Sequence, residues 1–88
     1  MSGIRVTNQS RVKIYVAINH WGKDGDTSFF TINQSESEKW DRTDDRGFVM
    51  VIRNHDFHPK NSTYWYVQAG KEIYVKDSNE VVGALQIL

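Results

Sequence analysis

Two alternating runs near the start of the chain, Ile4-Arg5-Val6-Thr7 and Val12-Lys13-Ile14-Tyr15-Val16-Ala17-Ile18, constrain the fold most. β-Branched residues recur there at every second position with polar residues between them. Asn8-Gln9-Ser10-Arg11 separates the two runs and is rich in turn formers. Alternation with a period of two puts one set of side chains on a buried face, and a polar turn between two such runs predicts a β-hairpin. Further short segments of the same kind follow, each closed by a polar turn. The strands expected are Gly3 to Thr7, Val12 to Asn19, Ser28 to Ile32, Glu38 to Trp40, Gly47 to Arg53, Thr63 to Val67, Lys71 to Lys76 and Glu80 to Leu88. Turns at Gln68-Ala69-Gly70 and Asp77-Ser78-Asn79 predict two more hairpins near the C-terminus. No stretch keeps a helical period, and the one proline, Pro59, falls in a loop. The expected fold is all-β: a compact antiparallel β-sandwich of about seven to eight short strands, with residues 1–88 as one domain.

Length limits what such a domain can hold. A chain of 88 residues buries roughly 60 to 65% of its unfolded surface, enough for one thin core but not for a deep catalytic cavity as well. Cysteine is absent, so packing alone must hold the core, which fits a reducing compartment. No apolar run follows a basic start, and nothing approaches the roughly 20 apolar residues of a membrane span. The location expected is the cytoplasm, or release without a signal peptide, with the sequons at Asn8, Asn33 and Asn61 unglycosylated. Eleven basic residues balance eleven acidic ones, so no net field draws the chain to nucleic acid.

Alternation also assigns the faces. Val12, Ile14, Val16 and Ile18 should point inward from the second strand, Phe48, Met50 and Ile52 from the fifth, and Ile73 and Val75 from the seventh. The opposite faces carry Tyr15, Ala17, Val49, Val51 and Tyr74, less polar than a solvent face requires. Tyr64-Trp65-Tyr66 puts rings on both faces of the sixth strand. An aromatic ledge on one sheet face is the expectation, serving either as a binding surface or as edge cover with its hydroxyls in water.

Two polar loops each begin with a tryptophan. The first, His20-Trp21-Gly22-Lys23-Asp24-Gly25-Asp26, presents a ring beside Asp24 and Asp26; the second runs Trp40-Asp41-Arg42-Thr43-Asp44-Asp45-Arg46. A sugar packs the apolar face of its ring on an aromatic side chain while its hydroxyls pair with acids, amides and guanidinium forks. The candidate ligand-binding residues are therefore His20, Trp21, Asp24, Asp26, Trp40, Asp41, Arg42, Asp44, Asp45 and Arg46, with Tyr64 or Trp65 nearby. The plainer alternative makes Trp21 a lid on the core and the charged stretches self-paired turns. His55-Asp56-Phe57-His58 offers at best two histidines and one acid, short of the three or four converging ligands a metal needs. The five aspartates of the two loops lack the twelve-residue calcium-loop pattern. No G-x-S-x-G elbow occurs and there is no cysteine nucleophile. Neither metal, cofactor nor catalytic activity is expected.

Ile4, Val6 and Asn8, then Ile14 and Val16, then Trp21-Gly22-Lys23 and Asp24-Gly25-Asp26 together resemble the start of the aegerolysins, small β-sandwich proteins that bind membrane lipid head groups. The likeness covers about the first third of the chain. It implies a sandwich fold and a lipid head group as ligand. In size and composition the chain is also similar to the small cytosolic lectins of fungi.

The functional expectation is a non-catalytic, lectin-like module that binds a glycan through the tryptophan-led loops. The second reading is a membrane module holding a lipid head group, and the third a domain that binds or inhibits a protein through the aromatic ledge. In the last strand Val81, Val82, Ala84, Leu85, Ile87 and Leu88 are too apolar on both faces for an exposed edge. Either that strand is central or it pairs with another copy, and a homodimer is the expectation.

Overall fold

The computed structural model describes residues 3–19, 28–42, 46–54, 62–77 and 80–87. They hold nine strands and essentially no helix: β1 (Ile4–Asn8), β2 (Ile14–Ile18), β3 (Phe30–Ile32), β4 (Ser37–Trp40), β5 (Phe48–Asn54), β6 (Thr63–Val67), β7 (Glu72–Val75), β8 (Val81–Val82) and β9 (Leu85–Ile87). The strands form two sheets, one of four in the order β4-β1-β7-β8 and one of five in the order β3-β2-β5-β6-β9. The all-β sandwich expected from alternation is what the chain builds. Its core is drawn from both sheets: Ile4, Val6, Trp40, Ile73 and Val75 from the first, and Ile14, Val16, Ile18, Ile32, Phe48, Met50, Ile52, Trp65 and Val67 from the second.

The opening pair of strands departs from expectation. β1 and β2 do not form a hairpin: β1 pairs with β4 and β7, whereas β2 pairs with β3 and β5. Both runs keep their buried faces, but they face each other across the core instead of lying side by side. The connection is an arch from one sheet to the other, and it leaves backbone groups that no ladder can satisfy. Asn8 satisfies them. Its side chain is buried, with Nδ2 donating to the carbonyls of Val12 (2.8 Å) and Ile32 (2.9 Å) while Oδ1 accepts from the Ser10 amide (2.9 Å). The Ser10 hydroxyl also donates to Asn8 Oδ1. A buried asparagine with both ends of its amide engaged thus ties β1, the arch and β3 together. Arg11 pins the outside of the arch, its amide and Nε donating to the two carboxylate oxygens of Asp77 at 2.8 and 3.1 Å. Replacing Asn8 with alanine strands the buried Ile32 carbonyl and leaves the Val12 carbonyl with the Ser10 hydroxyl alone, and is expected to cost about 1 to 3 kcal/mol. Urea denaturation of Asn8→Ala measures it, and a change within about 0.5 kcal/mol would show that water takes over the role of the amide.

Four further differences bear on the surface. The β1–β7 pair is parallel, in register from Arg5 opposite Glu72 to Asn8 opposite Val75, so the sandwich is not purely antiparallel. Of the two hairpins expected near the C-terminus only β7–β8 forms, because β6 and β7 lie in different sheets. Val12 stands outside β2 and is 42% exposed rather than interior. The long last strand is broken at Gly83: Val81–Val82 pairs with β7, and Leu85–Ile87 pairs with β6 in the other sheet. Gly83 sits at φ 99°, where side chains rarely go, and a Cβ there would lie 2.5 Å from the Glu72 carbonyl oxygen. This glycine lets the chain step from one sheet to the other, and both of its strands end up at sheet edges.

Candidate functional site

The registers lay out the outer face of the five-stranded sheet row by row. Thr31, Tyr15 and Arg53 form one row; Ala17, Val51, Tyr64 and Ile87 the next; Val49, Tyr66 and Leu85 the third. The second and third rows contain no charged residue. Tyr64 is 48% and Leu85 70% exposed, with Val49 and Ile87 also open to solvent. A solvent-facing sheet surface ordinarily carries polar side chains, and these two rows stay apolar and aromatic.

Local packing fixes how the aromatics lie. A Cβ on Gly47, whose φ is 88°, would collide with the ring and hydroxyl of Tyr66. The missing side chain is what lets that ring lie along the sheet, an aromatic covering a glycine across the strand pair. Its hydroxyl donates to the Arg46 carbonyl at 3.4 Å, and Gln68 Nε2 donates to it in turn at 3.4 Å. At the other end of the face the Arg53 guanidinium lies 4.2 Å from the centre of the Phe29 ring and donates from Nε to Ser62 at 3.1 Å. Beside β9 an open cleft of about 350 Å³ is lined by Tyr66, Gln68, Lys71, Gly83, Ala84 and Leu85.

The four-stranded sheet presents a different outer surface. Lys39, Arg5 and Glu72 make one row across β4, β1 and β7, and Ser37, Thr7, Tyr74 and Val82 the next. The Tyr74 hydroxyl donates to Glu72 Oε1 at 2.9 Å. That hydrogen bond, and the repulsion between a phenolate and the Glu72 carboxylate, raise its pKa above the usual tyrosine value. Tyr74 therefore belongs to a polar, self-paired surface and not to the aromatic ledge, which consists of Tyr15, Ala17, Val49, Val51, Tyr64 and Tyr66.

The tryptophan-led sites change most. Trp40 is 4% exposed and packs edge-on against Phe30, with ring centroids 5.7 Å apart, so its ring is core and not a stacking platform. Its indole Nε1 is buried without a hydrogen-bond partner among the described residues. Trp65 is likewise buried at 6%, its Nε1 donating to the Thr63 hydroxyl at 2.8 Å. Both rings sit at inward positions of the pleat. Arg42, read as a ligand-binding fork, is buried and spends its donors on the backbone: Nε on the Asn19 carbonyl (2.9 Å), Nη2 on Ile18 (3.0 Å) and Nη1 on Asp41 (3.1 Å). It closes the end of β2 in the way a helix cap closes a helix, and those donors are not open to a ligand. Asp41 and Arg46 are exposed. His20, Trp21, Asp24, Asp26, Asp44 and Asp45 lie outside the described residues, as do His55, Asp56 and His58. Tyr64 alone of the three residues Trp40, Tyr64 and Trp65 offers an exposed ring.

Alternation marks Tyr15, Ala17, Val49, Val51 and Tyr74 as outward and leaves the rings of Tyr64-Trp65-Tyr66 divided between two faces; the strand registers bring Tyr64 and Tyr66 to the face of Val49 and Val51 and place Tyr74 in the other sheet. Leu85 and Ile87 join the face of Tyr64 and Tyr66 only through the break at Gly83, which no periodicity in the last eight residues reveals. Among the described residues no group of histidines and acids is placed to hold a metal ion, and no helix is long and apolar enough to cross a membrane. Comparison with protein families, with curated proteins and with solved structures found no match for this chain.

Proposed function

We propose that the chain is a non-catalytic recognition module that binds a protein through the outer face of its five-stranded sheet. The observation that carries this reading is the uncharged double row Val51, Tyr64 and Ile87 beside Val49, Tyr66 and Leu85. Aliphatic side chains interleaved with tyrosines match the make-up of protein interface cores, where tyrosine adds a hydroxyl to a large apolar body and charge is depleted. Glycan binding loses the part of its support that rested on Trp40, Trp65 and Arg42, which are committed to the fold, while the Trp21 loop lies outside the described residues. It keeps one specific observation: the cleft beside Tyr66, where an aromatic ring, the Gln68 amide and the Lys71 ammonium line one open space. That makes glycan recognition the second reading.

The test sets the wild-type protein beside Val49→Asp and Tyr64→Ala, both exposed positions whose substitution leaves the core intact. Each is applied to a glycan array, to vesicles of neutral and anionic phospholipid, and to cell extract, with any captured protein purified and titrated. The expected result is saturable binding to one purified protein, weakened at least tenfold by both substitutions, with unchanged circular dichroism; tenfold corresponds to about 1.4 kcal/mol. Glycan binding that Tyr64→Ala abolishes would replace the protein reading with the glycan one. Vesicle binding lost in Val49→Asp would replace it with a lipid surface, and a partner indifferent to both variants would move the site elsewhere.

A further inference from the structure

A strand at the edge of a sheet exposes backbone donors and acceptors that invite another strand, and folded chains protect such edges. Three of the four edges here carry a recognisable protection. β4 is lined by the exposed charges of Glu38 and Lys39. β3 is short, and the carbonyl of its last residue, Ile32, is taken by the Asn8 amide. β8 has only two residues before the chain turns away at Gly83. β9 is as short as β3 but carries neither a charge nor a backbone carbonyl held by a buried side chain. Leu85-Gln86-Ile87 is uncharged and exposed throughout, pairs on one side with β6, and meets no strand on its other side among the described residues.

We propose that the free edge of β9 pairs antiparallel with β9 of a second copy of this chain, about a two-fold axis through Gln86. This holds whether or not the sheet face binds a further protein. The sequence of the edge is self-complementary under that operation. Leu85 falls opposite Ile87 of the partner subunit and Ile87 opposite Leu85 of the partner subunit, so the outer face gains four apolar side chains in contact. Gln86 meets its own symmetry mate on the opposite face, and each amide supplies the donor and the acceptor that the other needs. β9 itself carries no charge, and the chain's eleven basic and eleven acidic residues cancel, so two copies approach without net repulsion. A peptide of different sequence could use the same edge but would lack the match that symmetry provides. Joined in this way, two five-stranded sheets become one of ten strands, with the apolar outer rows continuous across the axis.

Three paired residues make a contact below the standard interface size, so association in the micromolar range is expected rather than an obligate dimer. Sedimentation equilibrium over about 1 to 500 μM reads it as a mass that rises from one chain toward two. Gln86→Lys places two ammonium groups on the axis and is expected to raise the dissociation constant at least tenfold; Gln86→Glu does the same with carboxylates. Mixing the two variants should restore association at or above the wild-type level, because the opposite charges then meet. Leu85→Asp is an independent disruption at a position that is 70% exposed and makes no demand on the core. A single-chain mass at every concentration overturns the proposal. So does a dimer that ignores Gln86→Lys and Leu85→Asp, or a Gln86→Lys/Gln86→Glu mixture no tighter than either variant alone. Val49, two strands from this edge, tests the face without touching the axis, so failure of one reading leaves the other standing.

Discussion

Ile14→Ala is expected to remove about 2 to 5 kcal/mol of folding stability, as the loss of a buried aliphatic side chain does when its surroundings relax only in part. Ile14 is fully buried at the head of β2, opposite Ile32 on one side and Asn54 on the other. A domain of this size has roughly 4 to 13 kcal/mol in all, and no disulfide restrains its unfolded state, since cysteine is absent. The substitution therefore removes a large fraction of the total and lowers the melting temperature by roughly 4 to 8 °C for each kcal/mol lost. Val16→Ala, in the same buried row, should cost less because fewer carbons are removed. Val12→Ala is the internal control: Val12 precedes β2 and is half open to solvent, so a change within about 0.5 kcal/mol is expected. Urea denaturation of the three variants decides the assignment. Equal costs at positions 12 and 14 would mean that the inward face of β2 has been misassigned.

That comparison also shows how far alternation carries. It identified which side chains of β2, β5 and β7 face inward, because a half-buried strand has a period of two wherever it pairs. It could not tell which strands pair. Ile4-Arg5-Val6-Thr7 and the run from Val12 read identically as a hairpin within one sheet or as an arch between two. What distinguishes the cases is Asn8, whose amide replaces ladder bonds that an arch cannot make. An asparagine in a turn is equally compatible with both.

The candidate site was partly legible for the same reason. Val49 and Val51 read as the outward side of their strand, since a strand's parity survives whatever its neighbour is; Tyr64-Trp65-Tyr66 reads only as putting rings on both faces, and it is the register with β5 that sets Tyr64 and Tyr66 beside Val51 and Val49. The tryptophans misled because a ring beside acids looks identical whether it faces solvent or closes the core. Trp40 follows three exposed residues in β4 and is the one buried side chain of that edge strand. Its apolar area is large enough that burial outweighs leaving one indole nitrogen unpaired, a cost of about 1 to 3 kcal/mol against about 3 to 5 kcal/mol for losing a buried tryptophan. Arg42 was legible as a fork but not as a fork for backbone carbonyls. The carbonyls of Ile18 and Asn19 become its acceptors only once β2 ends beside it.

Gly83→Val is expected to be as damaging as a core truncation, on the order of 2 to 4 kcal/mol, although residue 83 is exposed. Two independent penalties combine. A φ of 99° is unfavourable for any residue with a Cβ and more so for a β-branched one. The added atom also meets the Glu72 carbonyl, which belongs to β7 and cannot withdraw without breaking the four-stranded sheet. Relief is available only if the chain straightens at position 83, and then Val81–Val82 and Leu85–Ile87 cannot both keep their partners. β9 would be the strand released, since β8 is held by the tight β7–β8 hairpin, where the Lys76 amide donates to Glu80 at 2.7 Å. The consequence separates this glycine from an ordinary destabilising site: Gly83→Val should lose amide protection at Tyr64 and Tyr66 on β6, which pair with β9, before global unfolding exposes the rest. Hydrogen exchange compared with Gly83→Ala, which carries the same strain with less bulk, makes the measurement. Wild-type protection on β6 in both variants, with less than about 1 kcal/mol lost, would mean that the two sheets do not depend on this residue to share the end of the chain.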